Sequence, residues 1–161
     1  NIDVSFDNLI KQVIQNQDMF QWDKYKSVDD LVSSRRYAMN EFLKDFDRGK
    51  AEGRYVKAQL PYLDFADNSF EIALCSHFLF LYSSLFSLDF HVRSILEMIR
   101  VAKECRIFPL FDLTGKTSPL LKDVVKQLRD LEFHTQIINV PYEFQKGANQ
   151  CLIIRKTINN I

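Results

Sequence analysis

Ser76 and His77 are the residues of this 161-residue chain whose types and position best suit chemistry. An imidazole has an unperturbed pKa close to neutral pH, so His77 can accept a proton as a general base. The pair ends an apolar segment, residues 69–76, that is typical of a buried strand in a parallel sheet. Ligands of such sheets bind beyond the carboxyl ends of the strands. We therefore expect both side chains to face a ligand crevice, with His77 as the candidate catalytic residue.

The remaining histidines and the cysteines favour structural roles. His91 falls within a helical pattern and His134 precedes a strand, and no Ser-His-Asp arrangement follows from these spacings. Each cysteine lies in an apolar, strand-like segment, and the spacing of the three fits no zinc site. We expect them to be small buried hydrophobic residues in a reducing, cytoplasmic setting. They are Cys75, Cys105 and Cys151.

Apolar residues at three- and four-residue intervals predict the helices that would position these groups. Start signals include a capping-box pattern at Ser27 and Asp30, and Pro119 at the first helical position after Ser118. The predicted helices follow Asp7, follow Ser27 as far as Gly49–Gly53, span Leu88–Lys103, and follow Ser118-Pro119.

Short apolar runs between these helices predict strands. They cover residues 1–6, 54–60, 69–76, 104–110, 135–141 and 150–156. Alternating strands and helices favour a mostly parallel sheet with right-handed crossovers. The last two strands are joined by a loop alone, so we expect one of them to run antiparallel to the rest. The predicted fold class is α/β.

The segment Leu60–His77, which reads LPYLDFADNSFEIALCSH, resembles the fourth-strand region of class I S-adenosylmethionine-dependent methyltransferases. The typical pattern there is LPF-x-D-x-SFD-x-V. The resemblance implies a Rossmann-like three-layer sandwich with strand order 3-2-1-4-5-7-6, in which strand 7 is antiparallel. It covers residues 54–156 well and residues 1–15 loosely.

The resemblance stops short of the family's first strand and of its Gly-rich loop. The four glycines of the chain form no G-x-G motif. We therefore expect residues 1–161 to be a single methyltransferase-like domain that lacks its first strand and belongs to a longer protein. The long stretch between Asp3 and Gln59 implies a helical insertion at about residues 18–50.

The resemblance implies S-adenosylmethionine as cofactor and indicates which residues would contact it. Asp3 corresponds to the carboxylate whose two oxygens accept hydrogen bonds from the ribose hydroxyls. Gln59 falls where many members carry an adenine-binding Asp, and the backbone N–H of Leu60 would meet an adenine ring nitrogen. Ser76 and His77 would lie near the methyl group and its acceptor, where His77 would act as a general base or, for an acceptor that needs none, only line the pocket. The alternatives are a helix-flanking Asp3 and a surface Gln59.

An aromatic segment, Phe78 to Tyr82, follows His77. It is interpreted either as part of the core or as one wall of an acceptor pocket that excludes water. Phe78 and Tyr82 are the candidate substrate-pocket residues on the second interpretation.

Composition restricts the partners. Apolar residues make up 47% of the chain, and its 21 basic residues balance 21 acidic ones. These values are ordinary for a soluble globular domain and provide no field that attracts nucleic acid or an anionic membrane. No apolar run reaches the roughly 18 residues of a membrane span. We expect a small-molecule or protein acceptor, and leave the oligomeric state open.

Two functions remain open from the sequence. The first is S-adenosylmethionine-dependent methyl transfer to an unidentified acceptor. The second is a catalytically silent module of the same fold that acts as a binding or scaffold protein, because fold does not fix function. A short dehydrogenase is disfavoured, since the chain has no G-x-G-x-x-G motif.

Overall fold

The computed structural model describes residues 2–157, with side chains from residue 5 onward. The helices are α1 (Ile2–Gln15), α2 (Val28–Ala51), α3 (Leu88–Val101) and α4 (Leu121–Asp130), and the strands are β1 (Phe70–Ser76), β2 (Ala102–Phe108), β3 (Phe133–Asn139) and β4 (Gln150–Lys156). The chain divides into two compact units. The N-terminal unit comprises residues 1–57 with 144–146, and the sheet unit comprises residues 58–143 with 147–161.

Helix α1 corrects one prediction from the sequence. Residues 1–6 were expected to end a strand, but Ile2 already belongs to a helix that continues to Gln15. A short apolar run is compatible with either period. Here the helical spacing of Phe6, Ile10 and Val13 extends the pattern toward the N-terminus, and Val13 is buried.

Helix α2 begins and ends where the sequence predicts. The Ser27 hydroxyl accepts a hydrogen bond from the Asp30 backbone N–H at 3.2 Å, and the Asp30 carboxylate accepts one from the Lys26 backbone N–H at 3.0 Å. The first of these bonds satisfies a donor that the first helical turn leaves unpaired, and the second ties the residue before the cap to that turn. The chain then leaves the helix at Gly53, whose φ of 71° suits glycine.

The sheet has the strand order β1-β2-β4-β3. β1 and β2 are parallel, whereas β4 is antiparallel to both β2 and β3. β4 alone therefore runs against the other three strands. This confirms the α/β class and the prediction that one of the last two strands is antiparallel.

The strand predicted at residues 54–60 does not form. That stretch contains only an isolated bridge between Gln59 and Tyr62. Pro61 has no N–H to give to a ladder, and Tyr55 instead donates its hydroxyl to the Asp45 carboxylate within the N-terminal unit at 2.9 Å.

The core of the sheet unit lies between one face of the sheet and helices α3 and α4. It contains inward-facing residues of the strands together with the apolar faces of both helices: Cys75, Cys105, Ile107, Leu152, Ile154, Ile95, Ile99, Val124 and Leu128. All three cysteines are free and buried, as predicted. The prediction of a buried strand at residues 69–76 is wrong in its burial, because β1 is an edge strand of the described sheet and pairs only with β2. Of its residues only Cys75 is buried, and the alternate residues Phe70, Ile72 and Leu74 are exposed by 43%, 44% and 74%. None of the described helices has the length and apolar character needed to cross a membrane.

Candidate functional site

The carboxyl ends of β1 and β2 meet at one edge of the sheet. Ser76, the last residue of β1, pairs in register with Phe108, the last residue of β2. The His77 backbone N–H donates to the Phe108 carbonyl at 2.7 Å and ends the ladder. Ser76 and His77 therefore lie at the carboxyl edge, as predicted from the sequence, and both are exposed there.

The backbone at His77 turns sharply at this edge. His77 has a φ of 55°, in the left-handed region that few residues other than glycine adopt. Its Nδ1 atom lies 2.8 Å from the Ser76 hydroxyl oxygen, and its ring meets the Phe108 ring edge-on at 5.6 Å. Phe108 in turn meets Tyr142 at 5.8 Å. These contacts fix the orientation of an exposed imidazole at the end of the strand.

A pocket of about 390 Å³ lies within the sheet unit. Its lining is uncharged and consists of Ala58, Gln59, Leu60, Leu63, Phe78, Phe86 and Phe90. The Phe86 and Phe90 rings stack at 4.5 Å, and Phe78 meets Phe86 at 5.4 Å. Such a lining can hold a flat, uncharged group away from water.

The pocket brings together three of the residues predicted from the sequence, Gln59, Leu60 and Phe78. Tyr82 is not among the lining residues, although its ring lies 6.3 Å from that of Phe78. Ser76 and His77 are not lining residues either, but they directly precede the lining residue Phe78 in the chain. Of the predicted residues, only Gln59 and Leu60 from the cofactor set and Phe78 from the substrate-pocket set therefore line the same pocket.

Gln59 carries the polar group of this pocket. Its backbone carbonyl accepts a hydrogen bond from the Tyr62 N–H at 3.0 Å, which closes a tight turn. Its side chain is exposed and has no hydrogen-bond partner within the described part of the chain. A carboxamide both donates and accepts, so this group can pair with a polar ring edge.

Helix α3 contributes a group of residues that the sequence analysis missed. Glu97 accepts a hydrogen bond from the Leu63 backbone N–H at 2.7 Å. Arg100 donates to the carbonyls of Leu63 at 3.0 Å and Phe65 at 2.9 Å. Charged residues opposite an apolar helix face are typical of a solvated surface, so no pattern in the sequence indicated this contact with the loop.

The pKa of Glu97 reflects this arrangement. Arg100 donates two hydrogen bonds to its carboxylate, both at 2.8 Å. They lower the pKa of Glu97 from 4.5 to about 2, against the opposing effect of desolvation and with a further, smaller contribution from the Leu63 N–H. Glu97 is therefore ionised throughout the neutral range and acts only as an acceptor.

The structure does not bring Asp3 to the end of a strand. Asp3 belongs to helix α1, and its side chain lies outside those described. Its assignment to the ribose hydroxyls remains a prediction. Among the described residues, no group of three His, Cys, Asp or Glu side chains could hold a metal ion.

The chain is similar to one curated protein. It is an uncharacterized protein of Methanocaldococcus jannaschii that is 35% identical over 137 residues, which make up 85% of this chain and 59% of that protein. The chain therefore spans less than two thirds of the length of the relative it matches. No family model matches the chain. No solved structure matches it either.

Proposed function

We propose that this chain is a Rossmann-like methyltransferase domain that takes part in transferring a methyl group from S-adenosylmethionine to a small-molecule or protein acceptor. The strand order carries the proposal. The order β1-β2-β4-β3, with β4 alone reversed, corresponds to strands 4-5-7-6 of the family order, in which strand 7 alone is antiparallel. The resembling segment, residues 60–77, consists of a loop followed by β1, the strand that takes the place of strand 4.

The pocket fits an adenine ring as the flat end of the cofactor. Phe78, Phe86 and Phe90 offer apolar ring faces, and a pocket of about 390 Å³ lies within the usual range for small ligands. The Gln59 carboxamide oxygen can accept a hydrogen bond from an adenine amino group, and the Leu60 N–H can donate to a ring nitrogen.

Catalysis in this proposal depends mainly on how the domain positions the acceptor relative to the methyl group. S-adenosylmethionine supplies a methyl group that its sulfonium makes reactive. The phenylalanine rings exclude water, and Ser76 and Phe108 hold the His77 imidazole at the strand end. His77 can accept a proton from an acceptor that must lose one. Alignment and the exclusion of water are the contributions we assign to the remaining residues.

Calorimetric titration of the protein with S-adenosylmethionine and S-adenosylhomocysteine tests the proposal. We expect saturable binding that Gln59→Leu weakens about fivefold, because the variant loses a hydrogen bond of about 1 kcal/mol and keeps the side-chain size. Gln136→Leu, at an exposed position of β3, is the matched control and should bind as the wild type does. Absence of binding at millimolar ligand would overturn the proposal and favour the silent module.

A further inference from the structure

One face of α3 follows the loop of residues 58–68 along its length. Phe90, Arg93, Glu97 and Arg100 are spaced three and four residues apart, so they share that face. Phe90 lines the pocket, while Arg93 donates a hydrogen bond to the Tyr62 hydroxyl. The next two residues of this face contact the backbone of the loop.

Glu97 and Arg100 hold Leu63 through both of its backbone polar groups. The Leu63 N–H donates to Glu97, and its carbonyl accepts from Arg100. Arg100 also donates to the Phe65 carbonyl and to the Asp67 carboxylate at 2.6 Å. The two side chains are 14% and 35% exposed, so these bonds are partly shielded from water.

The loop residue that both Glu97 and Arg100 contact, Leu63, is part of the pocket wall. It directly follows the turn that carries Gln59 and Leu60, which is closed by the hydrogen bond from the Tyr62 N–H to the Gln59 carbonyl. The loop has no helix or strand of its own between Ala58 and Ser69. Its shape therefore depends on bonds to other elements.

We propose that Glu97 and Arg100 are positioning residues that hold the 58–68 loop in the shape that forms one wall of the pocket. A loop ordered in advance loses less conformational entropy when a ligand binds, so the pair raises ligand affinity without touching the ligand. The identity of the ligand rests on the proposed function, whereas the ordering of the loop does not.

Two measurements on the protein test this role. Hydrogen exchange of the Leu63 amide reports on the loop, and titration with S-adenosylhomocysteine reports on the pocket. Glu97→Ala should speed exchange of that amide and weaken binding, each by about tenfold or more, because it removes a charge-assisted bond. Lys126→Gln breaks an ion pair with Asp130 on α4 and should change neither quantity.

A residue swap separates the loop contact from the ion pair. Glu97→Arg combined with Arg100→Glu keeps opposite charges on α3, but an arginine at position 97 has no acceptor for the Leu63 N–H. We expect this double variant to behave like Glu97→Ala. Wild-type exchange and affinity in the swap would overturn the proposal, because the pair would then act only within the helix.

The remaining outcomes are also decisive. Unchanged exchange of the Leu63 amide in Glu97→Ala would overturn the positioning role, and faster exchange with unchanged affinity would do the same. Failure of the wild-type protein to bind S-adenosylhomocysteine would refute the proposed function, and the exchange rate alone would then decide the role of the pair. Should Glu97→Ala not fold, Glu97→Gln keeps an oxygen acceptor and should show a smaller change in the same direction.

Discussion

At the scale of single residues, His77 combines an unusual backbone with a position at the end of a strand. A left-handed conformation costs a residue with a β-carbon roughly 1–2 kcal/mol, and Asn tolerates it better than most. Strained residues of this kind cluster at functional sites. The sequence predicted where His77 lies, but it held no sign of the backbone conformation.

His77→Ala and His77→Asn should therefore differ in stability. The alanine variant keeps the φ of 55° without a polar side chain to support it, so we expect its free energy of unfolding to fall by about 1 kcal/mol. The asparagine variant should stay within about 0.5 kcal/mol of the wild type. Chemical denaturation measures both, and equal losses would show that the left-handed turn makes no special demand.

At the scale of elements, α3 connects the core with the pocket. Its buried face was predicted from apolar spacing, and that prediction is confirmed because Val92, Ile95 and Ile99 are buried. Its opposite face forms hydrogen bonds to the 58–68 loop. The spacing of residues along a helix does not reveal such contacts. The start of α3 depends on Ser87, whose hydroxyl accepts a hydrogen bond from the Phe90 N–H at 3.1 Å.

Ser87→Ala should destabilise the protein by about 1 kcal/mol, because the first turn of α3 loses its cap. Ser84→Ala is the matched control, since Ser84 is exposed in the preceding turn and makes no hydrogen bond to any described residue. Denaturation followed by circular dichroism should show a shift for the first variant and none for the second. Equal midpoints would contradict the assigned cap.

At the scale of the whole molecule, each unit contains a carboxylate that accepts hydrogen bonds from arginine side chains. In the N-terminal unit, hydrogen bonds from Arg54, Arg48 and Tyr55 hold the pKa of Asp45 well below its usual range. In the sheet unit, Arg100 lowers the pKa of Glu97 to about 2. A carboxyl whose pKa is lower in the folded state stabilises the protein above its unfolded pKa and loses that contribution as pH falls toward its folded value.

The acid dependence of Glu97→Gln tests this linkage. Above pH 5, where the wild-type carboxylate is ionised even in the unfolded chain, the variant should be less stable than the wild type. The difference in free energy of unfolding should shrink as pH falls from about 4.5 toward 2, because the wild-type group becomes protonated as well. Carboxyls shared by both proteins cancel in this comparison. A difference that stays constant across this range would refute the lowered pKa.

The local pattern of the sequence determined most of the helices and strands of the sheet unit. Apolar spacing and the run into β1 act between near neighbours, as does the cap at Ser27 in the N-terminal unit, so they can be recognised without knowledge of the fold. The same reasoning failed at residues 1–6 and 54–60, where short apolar runs fit more than one structure and distant partners decide which one forms.

Only the tertiary structure decided which residues share the pocket. Gln59, Phe78 and Phe90 are far apart in the chain, and their proximity depends on how the strands pair and on how α3 packs. The contact of Glu97 and Arg100 with Leu63 spans more than 30 positions. A hydrogen bond between a side chain and a distant backbone group leaves no periodic trace in the sequence, because a backbone N–H or carbonyl is the same at almost every position.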